Sequence, residues 1–284
     1  MTDVNFDSAL WAQPDSNTAY TGYKLRTDKD FGFRICTLKG NVNVTGGSVP
    51  SGNYLYPSRY NLTIKNNVTF TIDGNITVAS SGSITNRGTI TNNGGITNTG
   101  TMTNETEATI SNSGTITNNN GASMINNTQA TITNNKNINN YGHFINNGGI
   151  TNDLSTTFYN GANFTNNGTF TTKDDFSNHG PFINNGSFTC NEGNALFANH
   201  DYLINNNSII TKSTEVNLNN YHTILSNSVI DGAGITNNND GIYYKPDTNG
   251  LIDISSNLTL PYSSTFNVPD GKTLKIHNGV TFTI

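Results

Sequence analysis

Gly88-Thr-Ile-Thr-Asn92, Gly114-Thr-Ile-Thr-Asn118 and Gly148-Gly-Ile-Thr-Asn152 are one phrase written three times, with Gly168-Thr-Phe-Thr-Thr172 as a near copy. A small residue, any residue, a large apolar residue, any residue and then Asn recur between about Gly82 and Ile235. So short a unit cannot bury its own apolar residue and needs neighbours stacked on both sides. The phrase therefore predicts an all-β, single-stranded parallel β-solenoid.

The apolar anchors set the period. They run Ile84, Ile90, Ile96, Met102, Ile110 and on to Ile209, mostly six residues apart, with a few gaps of eight and one of nine. A helix face would need gaps of three and four, so helix is excluded. Alternate strand residues share a face, which turns the residue two before the anchor and the residue two after it inward as well. The first is mostly Gly or Ala. The second is Asn, at Asn86, Asn92, Asn98, Asn112, Asn118, Asn146, Asn152, Asn166, Asn184 and others. These are expected at corners, where Asn tolerates left-handed geometry, and stacked as ladders in which each amide bonds the next. Three hexads with occasional two-residue insertions predict a three-sided coil of about 18–20 residues per rung and on the order of eight or nine rungs, spaced by the inter-strand distance. A two-sided coil would crowd the anchors that switch to Phe between Phe158 and Phe197.

The chain divides by composition into three parts. Residues 1–58 carry mixed charge, Trp11 and several Tyr, and read as an N-terminal cap or attachment segment. Residues 59–240 are the hexad solenoid, and residues 241–284 form C-terminal rungs. Lys272-Thr-Leu-Lys-Ile-His-Asn-Gly-Val-Thr-Phe-Thr-Ile284 matches Tyr60-Asn-Leu-Thr-Ile-Lys-Asn-Asn-Val-Thr-Phe-Thr-Ile72 at eight positions. An unpaired rung invites another strand, and a contact between unlike ends propagates as a filament. The expected assembly interface is therefore Leu62, Ile64, Val68, Phe70 and Ile72 at one end and Leu274, Ile276, Val280, Phe282 and Ile284 at the other. The alternative is that Val268-Pro-Asp-Gly-Lys-Thr-Leu274 folds back as a cap.

Composition narrows the function classes. Charged residues are 12% and apolar ones 33%, with a net charge of −5. The fixed apolar period argues against disorder despite the Asn- and Thr-rich composition. No basic stripe for nucleic acid is present. Seven of the fourteen Lys and Arg lie in the first 65 residues, leaving the repeat walls nearly uncharged and suited to lateral contact with copies or glycans. Two cysteines, Cys36 and Cys190, exclude a disulfide framework. No apolar run reaches the length of a membrane span, and Met-Thr-Asp-Val-Asn-Phe lacks the marks of a signal peptide. Thr-x-Thr rows such as Thr89/Thr91 and Thr131/Thr133 face outward and can match an ice lattice, but the eight-residue gaps are expected to break that array.

Chemistry is sparse. No nucleophile elbow, phosphate loop or zinc-helix motif occurs. His179 and His200 each follow an anchor by three residues and are expected to stack one rung apart as a surface pair. Asp174-Asp175, with Glu192 or Asp201 a rung away, is the only arrangement that suggests the paired carboxylates of a glycosidase. No cofactor or metal is expected, and the chain is not expected to be an enzyme.

The strings Gly-Thr-Ile-Thr-Asn and Asp270-Gly-Lys-Thr-Leu-Lys-Ile-x-Asn-Gly-Val-Thr-Phe282 resemble repeats of bacterial adhesins of the filamentous-haemagglutinin and autotransporter type, and of β-helical viral fibres. The likeness covers about residues 60–284 and is one of repeat type. It implies a surface fibre or attachment protein, placed on an extracellular surface or a virion. The small-to-large spacing is also similar to left-handed hexapeptide acyltransferases, although Thr or Ser follows the anchor here and no catalytic His loop is evident. The sequence thus leads to a structural protein that polymerises end to end with itself. A monomeric or trimeric fibre binding glycans or a cell surface is the alternative, with a solenoid glycan hydrolase as the third reading.

Overall fold

A computed structural model describes residues 1–15, 23–28, 30, 32–190, 196–211, 217–228, 230, 234–238, 241–260, 265–268 and 270–283. The chain winds as a parallel β-solenoid of about 11 turns, and each rung contributes one strand to each of three faces. The first face takes Asn61–Ile64, Ser83–Asn86 and Thr101–Asn104; the second Thr69–Ile72, Thr89–Asn92 and Thr109–Asn112; the third Asn75–Val78, Gly95–Asn98 and Thr115–Asn118. Each strand pairs in parallel with its equivalent one turn away, as Ile90 does with Phe70 and Ile110. Stacked asparagines are separated by 17 residues in the shortest rung and 22 in the longest. The rungs are thus slightly more variable than the 18–20 expected, and there are more of them.

The additional turns come from the N-terminal segment. Val42–Val49 bends from the first face to the second and pairs with both Asn61–Ile64 and Thr69–Ile72. Arg34–Leu38 and Tyr54–Tyr56 do the same for the third face. Thr2–Phe6 lies outermost on the first face, and Tyr23–Thr27 closes the third as an antiparallel edge. A single helical turn, Ser8–Trp11, starts on Asp7, whose carboxylate accepts from the Leu10 amide at 2.9 Å. It turns Leu10 and Trp11 inward beside Phe6, which stands 5.5 Å from Phe70.

Corner chemistry explains the hexad. At short corners the residue two before the anchor passes so near the preceding rung that a side chain would collide: a Cβ on Gly94 would sit 1.9 Å from the Gly74 carbonyl oxygen, and one on Gly168 2.0 Å from that of Gly148. Where two residues are added, the corner becomes a turn closed from residue i to i+3, as in Ala108 N–H to Glu105 (3.0 Å) and Ala130 N–H to Asn127 (3.0 Å). Ala is accommodated there. The left-handed residues lie in these added turns, at Asn67, Glu107, Gln129 and Ser155. The ladder asparagines have negative φ, so their place at the corner rests on their amides, and the expected left-handed geometry falls on other residues.

The core is apolar over its whole length. Eight phenylalanines, Phe144 to Phe197, are each at most 1% exposed. Some rings one turn apart stack, as Phe164 on Phe182 at 5.0 Å and 9° and Phe170 on Phe188 at 5.0 Å and 26°. From Phe164 onward rings within a turn meet edge to face, as Phe170 with Phe176 at 88° and Phe182 with Phe188 at 85°, a geometry that ring quadrupoles favour.

The C-terminal strands do not extend these faces. Among the described residues Leu251–Ile254 pairs with Thr273–Ile276, with an isolated antiparallel bridge from Ile252 to Pro246, and Leu258–Thr259 pairs with Phe282–Thr283. This small coil lies against the outer surface of the first face. There the outward residues Ile204, Leu225 and Tyr244 form a second core with Ile252, Ile254, Leu258 and Leu260. The Asn206 amide fastens it, donating to the Thr265 carbonyl and accepting from the Asn267 amide, both at 2.8 Å.

Candidate functional site

Three asparagine ladders run through the corners. Along the first, Asn86, Asn104, Asn126, Asn146, Asn166, Asn184 and Asn205 each donate from Nδ2 to Oδ1 of the next at 2.7–2.8 Å, and Asn205 passes the bond to Ser226. The second runs Asn92, Asn112, Asn134, Asn152 and ends on Thr172. The third runs Asn98, Asn118, Asn140, Asn160, Asn178, Asn199, Asn220 and Asn237. The other amide hydrogen bonds a backbone carbonyl of the rung above, as Asn118 does with His143 at 3.0 Å. Apart from the Asn92 Oδ1 at the start of the second ladder, which has no partner among the described residues, these buried amides are paired, and buried polar groups so paired cost little and polarise one another. Every ladder residue anticipated from the hexad stands in one of the three.

The two copies of the repeated phrase end in different surroundings. Leu62, Ile64, Phe70 and Ile72 are fully buried, and Val68 packs against the same core. Asn61–Ile64 is paired on both edges, by Val42–Val49 and Ser83–Asn86, and Thr69–Ile72 by Val42–Val49 and Thr89–Asn92. The first copy is an inner rung and presents no free edge, contrary to the expectation that it forms one end of the coil. The second copy repeats its corner: Asn67 and Gly279 both have positive φ, and Val68 and Val280 donate to Lys65 and His277. Yet Leu274, Val280 and Phe282 are half-buried, and Ile276 is 43% exposed. Among the described residues no strand pairs with the outer edges of Thr273–Ile276 and Phe282–Thr283. Ile284 lies outside the described residues.

A column of rings occupies the corner after the third face. Tyr159 swings over Gly161 to meet Tyr141, and His179, His200 and Tyr221 follow at centroid distances of 5.1, 4.2 and 4.4 Å. His179 and His200 thus stack as the sequence suggests. The His200 pKa is held below the ordinary imidazole value, by burial first and by the adjacent His179 second. The unfolded chain therefore binds more protons between the depressed and the ordinary values. Stability is intact above the ordinary value and lost as pH falls through that window. Melting temperature is expected to fall as pH drops below the ordinary imidazole value of about 6.5, with part of that slope gone in His200→Gln; an unaltered slope would discount the stacked pair.

The carboxylates singled out earlier serve the backbone. Asp174 accepts from the amides of Thr156 and Asp175, and Asp175 from that of Leu196, each at 2.9 Å. Asp201 accepts from the Tyr202 amide at 2.7 Å, and Glu192 lies outside the described residues. Among the described residues no group of three or more potential metal ligands gathers. Cys36 and Cys190 are unpaired, and burial pushes both thiols up to about 12. Cys190 replaces Asn in the second ladder, one rung beyond Thr172. Among the described residues no helix is long and apolar enough to cross a membrane.

The second face is the most regular surface. Its strands pair from Thr69–Ile72 to Ser187–Cys190 with no break in register. The added residues all fall at corners, so the eight-residue gaps do not interrupt the outward columns as expected. One column reads Thr69, Thr89, Thr109, Thr131, Gly149, Thr169, Ser187; the other reads Thr71, Thr91, Ser111, Thr133, Thr151, Thr171, Thr189. No family profile, no curated protein and no solved structure matches this chain.

Proposed function

We propose that the chain is a rigid structural protein that joins copies of itself end to end into a fibre or surface appendage, of the adhesin-stalk or viral-fibre kind its repeats resemble, on an extracellular surface or a particle. The observation that carries this is that, among the described residues, no strand covers the outer edge of Thr273–Ile276, with Ile276 exposed beside it. Ladders through successive rungs supply stiffness along the axis.

The partner edge is Thr2–Phe6 of a second copy, which among the described residues pairs with Val42–Val49 alone. Register favours the match. Thr2 and Val4 continue the columns of Leu62 and Ile64 through Val42 and Val44, and Leu274 and Ile276 are the counterparts of Leu62 and Ile64 in the repeated phrase. Adding one copy below another then sets Ile276 against Val4 and Lys275 against Asp3. Asp3 already attracts a lysine within its own chain, Lys65 at 3.1 Å. Parallel pairing of this kind propagates without closing. Sedimentation and negative-stain imaging should show particles that lengthen with concentration. Lys275→Asp should shorten them, and Asp3→Lys in the same chain should restore them. A single short species at every concentration would overturn the proposal.

A further inference from the structure

We infer that the second face binds ice, its two threonine columns forming a ready-made lattice for ordered water. Thr is a common outward strand residue, so the columns alone would say little. The contrast between faces says more. Over the same seven rungs Thr fills eleven of fourteen outward positions on the second face, against five on the first and five on the third; of the eleven only Thr189, at the end of the array, is buried. A β-propensity effect would act on all three alike.

Spacing and charge both suit this occupant. Along the coil the columns repeat at the inter-strand distance of about 4.8 Å, and across a strand two outward residues stand about 6.6 Å apart. Oxygen atoms on exposed planes of ice repeat close to the first distance and somewhat wider than the second. Sheets this long normally twist, and side-chain ladders are what hold them flat; the first and second asparagine ladders border this face on either side. The fourteen positions carry no formal charge, which matches an uncharged lattice of alternating donors and acceptors. A hydroxyl supplies both roles, and the Thr131 and Thr109 hydroxyls already lie within 3.3 Å of each other across a rung. Threonine is stiff about its first torsion, so little freedom is lost when the array meets a surface.

The test is nanolitre osmometry with imaging of a growing ice crystal, applied to the whole chain. The wild type should facet the crystal and open a gap between melting and freezing. Thr133→Tyr, at the middle of the array, should remove most of that gap, several-fold at equal concentration. Thr117→Tyr, outward on the third face, should retain it, with circular dichroism melts showing both variants folded. Round, freely growing crystals in wild-type solution would overturn the inference, as would equal losses in the two variants. A Thr133→Tyr effect seen only in sedimentation, marking a face between copies, would also overturn it.

Discussion

Asn126→Leu is expected to cost about 2–6 kcal/mol although the two side chains are nearly equal in size, because two buried groups lose their partners at about 1–3 kcal/mol each. Nδ2 of Asn104 would lose its acceptor at 2.8 Å, and Oδ1 of Asn146 its donor at 2.8 Å. The carbonyls of Ala130 and Gly149 would lose the amide that now reaches them at 3.2 and 3.1 Å. Leucine offers nothing in return, and no water reaches a position that is fully buried. The appropriate control is Asn147→Leu. Asn147 belongs to an exposed string in which Asn167 donates to it at 2.9 Å, and water can replace that bond, so the loss there should be within about 0.5 kcal/mol. Urea denaturation of both variants checks the difference. Equal midpoints would mean that the internal ladders are spectators and that the apolar anchors alone hold the rungs together.

The ladders were legible because their signal is local: an Asn two residues past an apolar anchor has its direction fixed by strand parity alone. The three faces followed from the bulk of successive Phe anchors. Position within the stack is a different kind of information. Leu62-Thr-Ile64 and Leu274-Lys-Ile276 have the same pattern and the same following corner, yet one is covered on both edges and the other on one. Nothing in a rung's own residues records what lies above it. The Thr array was misread for a related reason. Spacing counts residues between anchors, but only the path of the chain shows that added residues leave at the corners and return to register. The docking of the C-terminal coil did have a signal. Along the first face the outward column reads Thr63, Thr85, Thr103, Ile125, Ile145, Thr165, Ile183, Ile204 and Leu225, and it is the unbroken apolar run at its end that the coil covers.

Phe176→Ala tests the other half of the core. The Phe176 ring meets those of Phe158, Phe164, Phe170, Phe182, Phe188 and Phe197 at 5.1–6.2 Å. Truncation removes its burial and leaves a hole walled by rings that the backbone ladders hold in place, so collapse is limited and the cost should approach about 3–5 kcal/mol. In a coil each rung touches only its neighbours, and stability is close to a sum of rung and interface terms. A defect of that size therefore weakens the coupling between the turns below Phe176 and those above it. Unfolding followed by circular dichroism should broaden or split in two, whereas Ile116→Val, which removes one methylene, should shift a single transition by about 0.5–1.5 kcal/mol. If Phe176→Ala instead moves one sharp transition without broadening it, the rungs are coupled over longer distances than their contacts provide, and the asparagine ladders become the leading candidate for that coupling. Combining Phe176→Ala with Asn126→Leu would then decide the matter. The two sites lie on different faces and in different rungs, so additive losses would mean independent rungs, and a shortfall from additivity would measure what the ladders carry between them.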